Sequence, residues 1–537
     1  MKNLSDINSL RRGLFLVLCA FVISTVCSGQ VMAKDWTVLV YLAADNDLAP
    51  FGLIDINEME QVGSTDSVDV LVQFDGSKEH SPGDEGSCRY HIQKDNDMKK
   101  ITSPVIEDMG EVDMGSKQTL TEFLQWGMTN YPSEKYFLII WNHGNGWYQS
   151  LDESSIDFTA PKDVQDLMEA VEEIQGGAAG KEALKKVVAS KRIQSLLTGG
   201  PSVRPFEPAT REVEESPFGK TEKAVAIDEG GEGGATALST TDIREAIENV
   251  KSLLGDKGKL ELVGFDACLM AMIEVFHELR NCADFGLASM KTEPGDGWPY
   301  DKFLAALAEK PSMNGAELGS VVVDEYTAHY DFANQNQENP FWKANCTLAT
   351  VDLSKIGALT EALHNLGAVL KTAELREMLW GVAINTQHCG EIARTEPTVL
   401  LQLTAHRDIV HFAQNVKAAV ASSKANQMSQ EMVSAMADKV IETHNESIVY
   451  FKKLLASPLL SIENTNGIAV SIPFLRLEQS YSDVEFGKGE WTQFIKFFKA
   501  TPVEAQELIN MMTGGKDGEE TAEEDSPESK FGSLYDE

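Results

Sequence analysis

The chain has 537 residues, and its 83 acidic side chains outnumber the 46 basic ones to give a formal net charge of −37. So acidic a surface repels nucleic-acid phosphates and anionic lipid and favours cationic substrates or divalent metal. A hydrophobic content of 42% over this length supports about three to four domain equivalents with a real core, which excludes disorder of the whole chain. Residues 1–33 come first and read as a signal peptide. Lys2, Arg11 and Arg12 precede an apolar run from Gly13 to Cys27 that is too short for a comfortable membrane span, and Val31-Met32-Ala33 offers the small residues read by a signal peptidase. Cleavage after Ala33 is preferred over an uncleaved anchor or a lipidated Cys27, so the mature protein is expected to be exported, periplasmic or extracellular, with no membrane attachment.

Next along the chain come four apolar, β-rich runs: Trp36 to Ala43, Val68 to Phe74, Tyr136 to Trp141 and Leu260 to Phe265. Strands apolar on both faces belong in a buried parallel sheet. Between them, Leu53 to Val62, Thr119 to Thr129 and Asp242 to Leu254 have helical period, the last opened by Ser239-Thr240-Thr241 as capping residues. This alternation predicts an α/β sandwich over residues 34–305. An excursion at 151–223 interrupts it, helix-forming from Asp163 to Leu197, then turn-rich and basic with four prolines. A stretch of that kind inside a compact unit reads as a surface segment open to proteolysis. Residues 306–500 are mainly helical, including Ala358 to Leu370, Ile409 to Ala421 and Met428 to Leu454, with short strands at Cys346 to Asp352 and Ile468 to Pro473. The tail at 514–537 is acidic and reads as solvated and disordered.

Signal removal leaves Cys88, Cys268, Cys282, Cys346 and Cys389, an odd number, so at least one thiol has no intramolecular partner. No spacing resembles a zinc site. Two strand ends carry the reactive residues: the run ending at Trp141 continues into Asn142-His143-Gly144, and the run ending at Phe265 into Asp266-Ala267-Cys268. Both emerge at the carboxyl edge of the expected sheet, where open α/β folds bind ligands. Cys268 is read as a nucleophile at or just before the first turn of a helix running through Leu269 to Arg280, where the helix dipole favours the thiolate. His143 then moves protons, and the backbone N–H groups of Cys268 and Gly144 hold the oxyanion. Asp266, two residues before Cys268, is expected on the same side if the strand stays extended, with pairing to a cationic substrate and capping of the following helix both open. Asp296 lies in a Gly- and Pro-marked loop after the strand candidate Phe285 to Met290. Glu274 and His277 read as packing and surface residues.

With these residues in view, the chain resembles the clostripain family of cysteine peptidases, of the caspase, legumain and gingipain clan. The resemblance rests on WTVLVYLAADND from Trp36, IIWNHGNGW from Ile139, LVGFDACLMAMIEV from Leu262 and EPGDGWPYD from Glu293, with a weaker echo at NGIAVSIP from Asn466. It implies a caspase-like three-layer sandwich with a mainly parallel central sheet and a mostly helical C-terminal extension. It implies a secreted endopeptidase with a Cys268 and His143 dyad, no obligatory third acid, and a substrate pocket of Asp266 and Asp296 that accepts Arg or Lys of a protein or peptide. It further implies a zymogen that nicks itself between the two blocks, for which Lys191, Arg192, Arg204, Arg211, Lys220 and Lys223 are the candidates. Calcium accompanies some relatives, although no Asp-x-Asp-x-Asp-Gly loop is present and none is required. Two departures stand out: the excursion exceeds the expected short linker, and Ile227-Asp228-Glu229-Gly230-Gly231 stands where the family tends to place paired acids. The competing readings are a non-catalytic binding or adhesion protein on this fold and a Cys-His amidase without a basic pocket.

Overall fold

The computed structural model describes residues 33–76, 86–147, 225–228, 235–337, 343–371, 375–389, 405–423, 425–457, 462–473, 477 and 479–499. The signal peptide, the 151–223 excursion with its six self-cleavage candidates and the 514–537 tail lie outside the described residues. Of the predicted strands, Trp36 to Ala43 is found within β1 (Lys34–Ala44), Val68 to Phe74 in β2 (Val68–Gly76), Tyr136 to Trp141 in β5 (Ser133–Trp141) and Leu260 to Phe265 in β8 (Leu260–Asp266). Together with β3 (Ser87–His91), β4 (Val105–Gly110), β9 (Ala283–Ala288), β10 (Cys346–Asp352) and β12 (Ile448–Leu454) they form one nine-stranded sheet. Its order is β12-β10-β9-β8-β5-β1-β2-β3-β4.

The five central strands run parallel and both margins are antiparallel. That pattern follows from the sequence: the central strands are buried along nearly their whole length, as a sheet covered on both sides requires. One face carries α1 (Ala49–Val62), α5 (Tyr300–Glu309) and α6 (Gly315–Asn336), which share a core with Trp36, Val38, Phe137, Leu262 and Trp298. The other face carries α2 (Lys117–Asn130), α3 (Thr240–Asn249), α4 (Ile273–Leu279), α7 (Ile356–Leu370), α8 (Arg376–Ile384), α9 (Ile409–Ala421), α10 (Gln427–Ser447) and α11 (Glu490–Phe498). Residues beyond 305 thus supply two strands of the central sheet as well as helices over it. Two small ribbons, β6 (Val225–Asp228) with β7 (Thr236–Leu238) and β11 (His406–Asp408) with β13 (Ala469–Ser471), complete the described strands.

Several boundaries differ from the sequence pattern for identifiable reasons. The helix expected from Met428 to Leu454 ends at Ser447, and Ile448 to Leu454 forms the edge strand β12 against β10; β-branched and aromatic residues there fit a pleated surface. α3 starts where expected on a capping box, with Asp242 N–H donating to Ser239 Oγ at 3.0 Å and Ser239 N–H to Asp242 Oδ2 at 3.0 Å. Among the described residues no helix is long and apolar enough to cross a membrane.

Candidate active site

β5 and β8 are neighbouring parallel strands in a register that sets Trp141 opposite Asp266. His143 and Cys268 each follow two residues later, so the two side chains leave one rim of the sheet at equal offsets. Asn142 N–H donates to Asp266 O at 3.2 Å and keeps the ribbons together beyond the last pair. Gly144 lies directly against the Cys268 backbone: a Cβ there would collide with the Cys268 carbonyl oxygen and stand 3.0 Å from Ala267 Cβ and 3.1 Å from Met270 Cγ. Gly144 also bridges Val225 of β6, and both Asn142 and Asn46 donate side-chain N–H groups to Ile227 O, at 3.0 and 2.9 Å. His143 is half exposed, and its Nε2 is 2.7 Å from Asp47 Oδ1 in the loop after β1. That hydrogen bond is the main reason the Asp47 carboxyl lies below its ordinary range.

Cys268 does not sit at a helix N-terminus. α4 begins five residues later, at Ile273. The intervening residues are held as a strap: Leu269 N–H donates to Lys291 O at 3.0 Å, Ala271 N–H to Ser289 O at 2.8 Å, and Ala271 O accepts from Ala469 N–H at 2.9 Å. Leu269 has φ +64°, a left-handed conformation that a helix cannot continue through. Their apolar side chains, which gave the helical pattern, are buried instead against the core. The helix-dipole argument therefore gives way to a local donor: Glu293 N–H points at Cys268 Sγ at 3.2 Å, and a backbone donor on sulfur favours the thiolate. Of the five cysteines among the described residues, only Cys268 is not buried. Burial pushes the thiols of Cys88, Cys282, Cys346 and Cys389 upward, those of Cys282 and Cys389 to about 12, which leaves them inert.

β8 ends at Asp266, and the chain turns before Cys268. Asp266 faces the Trp298 layer and accepts from Trp298 N–H at 3.2 Å and Tyr300 O–H at 2.9 Å, whereas Cys268 packs at the margin of the opposite core. Segment 293–300 joins the two, because Glu293 meets the sulfur through its backbone and Trp298 Nε1 through its carboxylate at 3.1 Å. Asp266 is almost fully buried, and desolvation raises it to about 6. Asp55 on α1 and Glu293 are pushed well above the carboxylate range by burial and by Asp266, an effect that the Trp141 side chain opposes at Asp55. Burial also lifts Glu58, one turn after Asp55, to about 7. Asp296 is exposed at the margin of this group and adds to the negative field at Asp55.

Sequence reasoning singled out Asp266 and Asp296 but not Asp47, Asp55, Glu58 or Glu293. Asp47 and Glu293 lie within motif blocks already singled out, and the end of β1 at the same rim was the available signal. Asp55 had a weaker one, an acid on the buried face of α1. Glu274, read among packing and surface residues, is fully buried and accepts from Ser471 N–H at 2.9 Å and Tyr481 O–H at 2.8 Å. His277 is also buried, with Nδ1 2.8 Å from Thr360 Oγ1.

The clostripain family model, peptidase C11, matches residues 40–174 and 212–477, well over half of the chain and both reactive strand ends. A search of curated protein sequences found no match. Among solved structures, a secreted C11 cysteine protease from Bacteroides thetaiotaomicron, captured with an irreversible peptide inhibitor, is 17% identical, covers 86% of this chain and 99% of its own, and superposes with a TM-score of 0.53. An inactive zymogen C11 protease from Parabacteroides distasonis is 15% identical, with 85% and 98% covered and a TM-score of 0.50. At these identities the likeness concerns the fold, a mainly parallel sheet between helical layers. The family match spans both β5 and β8, and the chain belongs to the clostripain family of cysteine peptidases.

Proposed function

We propose that this cysteine peptidase cleaves its protein or peptide substrates after Arg or Lys, with Cys268 as nucleophile and His143 as proton carrier. The register of β5 against β8, which delivers the two side chains to one rim, carries this reading. Cys268 Sγ attacks the scissile carbonyl carbon, and the backbone N–H groups of Cys268 and Gly144 take the developing oxyanion. His143 gives a proton to the leaving amine, and water then releases the acid and regenerates the thiol. Asp47 holds Nε2 of the imidazole and so orients Nδ1 toward the reacting amide.

Asp266 and Asp296 recognise the basic side chain, and Asp55 and Glu293, held neutral by burial and by Asp266 while the pocket is empty, are placed to ionise beside an arriving cation. Buried carboxyls held above their ordinary range gain most from an arriving cation, and a planar guanidinium satisfies two oxygens at once. The enzyme is exported, which the leader and the secreted Bacteroides relative support. It is made as a zymogen and cuts itself within the basic excursion; one relative of this fold was solved as an inactive zymogen. Arg-, Lys- and Leu-terminated amide reporters, assayed beside Cys268→Ala, test the proposal. Turnover of the basic reporters alone, and an intact Cys268→Ala chain, is the expected result. Turnover of Leu amides alone would establish an amidase, and no turnover at all a binding protein.

A further inference from the structure

Glu293 is the residue at which the sulfur and the acidic pocket meet. Its N–H points at Cys268 Sγ at 3.2 Å, its Oε2 accepts from Trp298 Nε1 at 3.1 Å, and its carboxyl is hydrogen-bonded to that of Asp266. Two carboxyls form a hydrogen bond only if one of them keeps its proton, because two ionised groups offer acceptors alone and repel each other. Asp266 already accepts from Trp298 N–H at 3.2 Å and Tyr300 O–H at 2.9 Å, and both donors favour its ionised form. The proton therefore resides on Glu293, which donates it to Asp266. The other ionisable groups that act within this cluster are Asp55 from α1, Asp296 from the loop, Tyr300 from α5, Tyr326 and Tyr330 from α6 and Cys346 from β10. None of them is basic, so none offsets a second negative charge.

We propose that Glu293 and Asp266 hold one proton between them in the free enzyme and that a basic substrate side chain expels it on binding, which makes Glu293 a specificity-determining residue. This inference rests on the reading of Asp266 as the partner of that side chain. As the cation arrives, the O–H bond of Glu293 breaks, its electron pair stays on the carboxylate and the proton passes to solvent water. Both carboxylates then accept hydrogen bonds from the guanidinium or ammonium group. A neutral side chain leaves the proton where it is.

The exchange also protects the nucleophile. The pair carries one negative charge in the free enzyme, and the two carboxylates with the bound cation again sum to one, so the thiolate meets the same net charge before and after binding. A second uncompensated carboxylate beside the sulfur would disfavour the thiolate. Glu293 meets Cys268 through its main chain, so the donor to Sγ stays in place when the side chain loses its proton.

The test counts protons. Full-length Cys268→Ala protein, which cannot cut its ligand, is titrated calorimetrically with an Arg-terminated peptide amide in buffers of different ionisation enthalpy. The same titration is run on the Cys268→Ala, Glu293→Gln double variant, in which the amide still donates to Asp266 but has no proton to lose. The variant is expected to release about one proton fewer per peptide bound. Binding that releases a proton strengthens as pH rises, by at most about 10-fold per pH unit. With Cys268 present, KM for an Arg amide should therefore fall at least ~5-fold from pH 6.5 to 8, and less than ~2-fold in Glu293→Gln, while the pH profile of kcat keeps its shape in both. Equal proton release in the two proteins would overturn the proposal, as would a kcat profile displaced together with KM, the mark of a structural role. Failure of the Arg peptide to bind at all would remove the basic-pocket reading and this inference with it, whereas binding without a Glu293-dependent proton removes this inference alone.

Discussion

Replacing Gly144 with Ala tests the close approach of the ribbons that carry His143 and Cys268 directly. The effect is purely steric, since the added methyl would collide with the Cys268 carbonyl oxygen and stand 3.0 Å from Ala267 Cβ and 3.1 Å from Met270 Cγ. The obstructing oxygen is backbone, and Ala267 and Met270 belong to the buried core, so no flexible side chain can give way. The His143 ribbon must therefore move off the Cys268 ribbon by something approaching ~1 Å, and a displacement of that size costs about 100-fold in rate where two groups must share one reacting bond. Overpacking of this kind costs about 1–3 kcal/mol in stability, which a family enzyme with so extensive a core should survive. The assay is kcat/KM on an Arg-terminated amide, with thermal unfolding as the control for folding. A folded Gly144→Ala enzyme within threefold of the parent would refute the idea that the contact at 144 sets the distance between sulfur and imidazole.

Other outcomes follow from the same geometry. Asp47→Asn keeps the shape of the hydrogen bond to His143 Nε2 but removes its charge, and should lower kcat about 10-fold with KM little changed; an unchanged kcat would show Asp47 to be incidental. Asp266→Asn should reduce kcat/KM for Arg amides by at least ~100-fold while leaving weak Leu-amide hydrolysis as it was, because the loss falls on a buried charge partner. Equal losses on both reporters would point to a structural role instead. Burial raises Glu274 from 4.5 to about 7. Its contribution is fully present below about pH 4.5 and is lost as pH rises through 7, an effect on the order of 3 kcal/mol. Glu274→Gln should therefore flatten the fall in unfolding free energy between about pH 5 and 8, measured by denaturant titration at several pH values; a slope equal to the parent's would contradict the assignment.

Much was legible in the amino-acid order alone. Continuous apolar runs announced the central strands, because a strand covered on both faces has no polar side to show, and the residues just past each run fell at the carboxyl rim. The reading of His143 and Cys268 as partners at that rim rested on that rule and on the family's motif blocks. Local periodicity failed where long-range contacts outweighed it. Leu269 to Met272 have the spacing of a helix but are drawn into a strap by Lys291, Ser289 and Ala469, and Ile448 to Leu454 extend a helical pattern but pair with β10. Such hydrogen bonds join residues far apart in the chain, and no window of neighbours contains them.

The acids divide in the same way. Asp266 and Asp296 were singled out because each lies within a few residues of a recognisable strand end. Asp47 meets His143 across 96 positions, Asp55 joins Asp266 from a helix more than 200 residues upstream, and Asp45, Asp75, Glu111 and Asp228 come together from four segments. What the sequence determined by itself was which strands are buried and which reactive side chains follow them, since burial and strand ends are properties of a few consecutive residues. The tertiary structure decided which carboxyls lose their water and which become one another's neighbours. Charge repulsion and desolvation depend on distance through space, and only the folded chain fixes those distances.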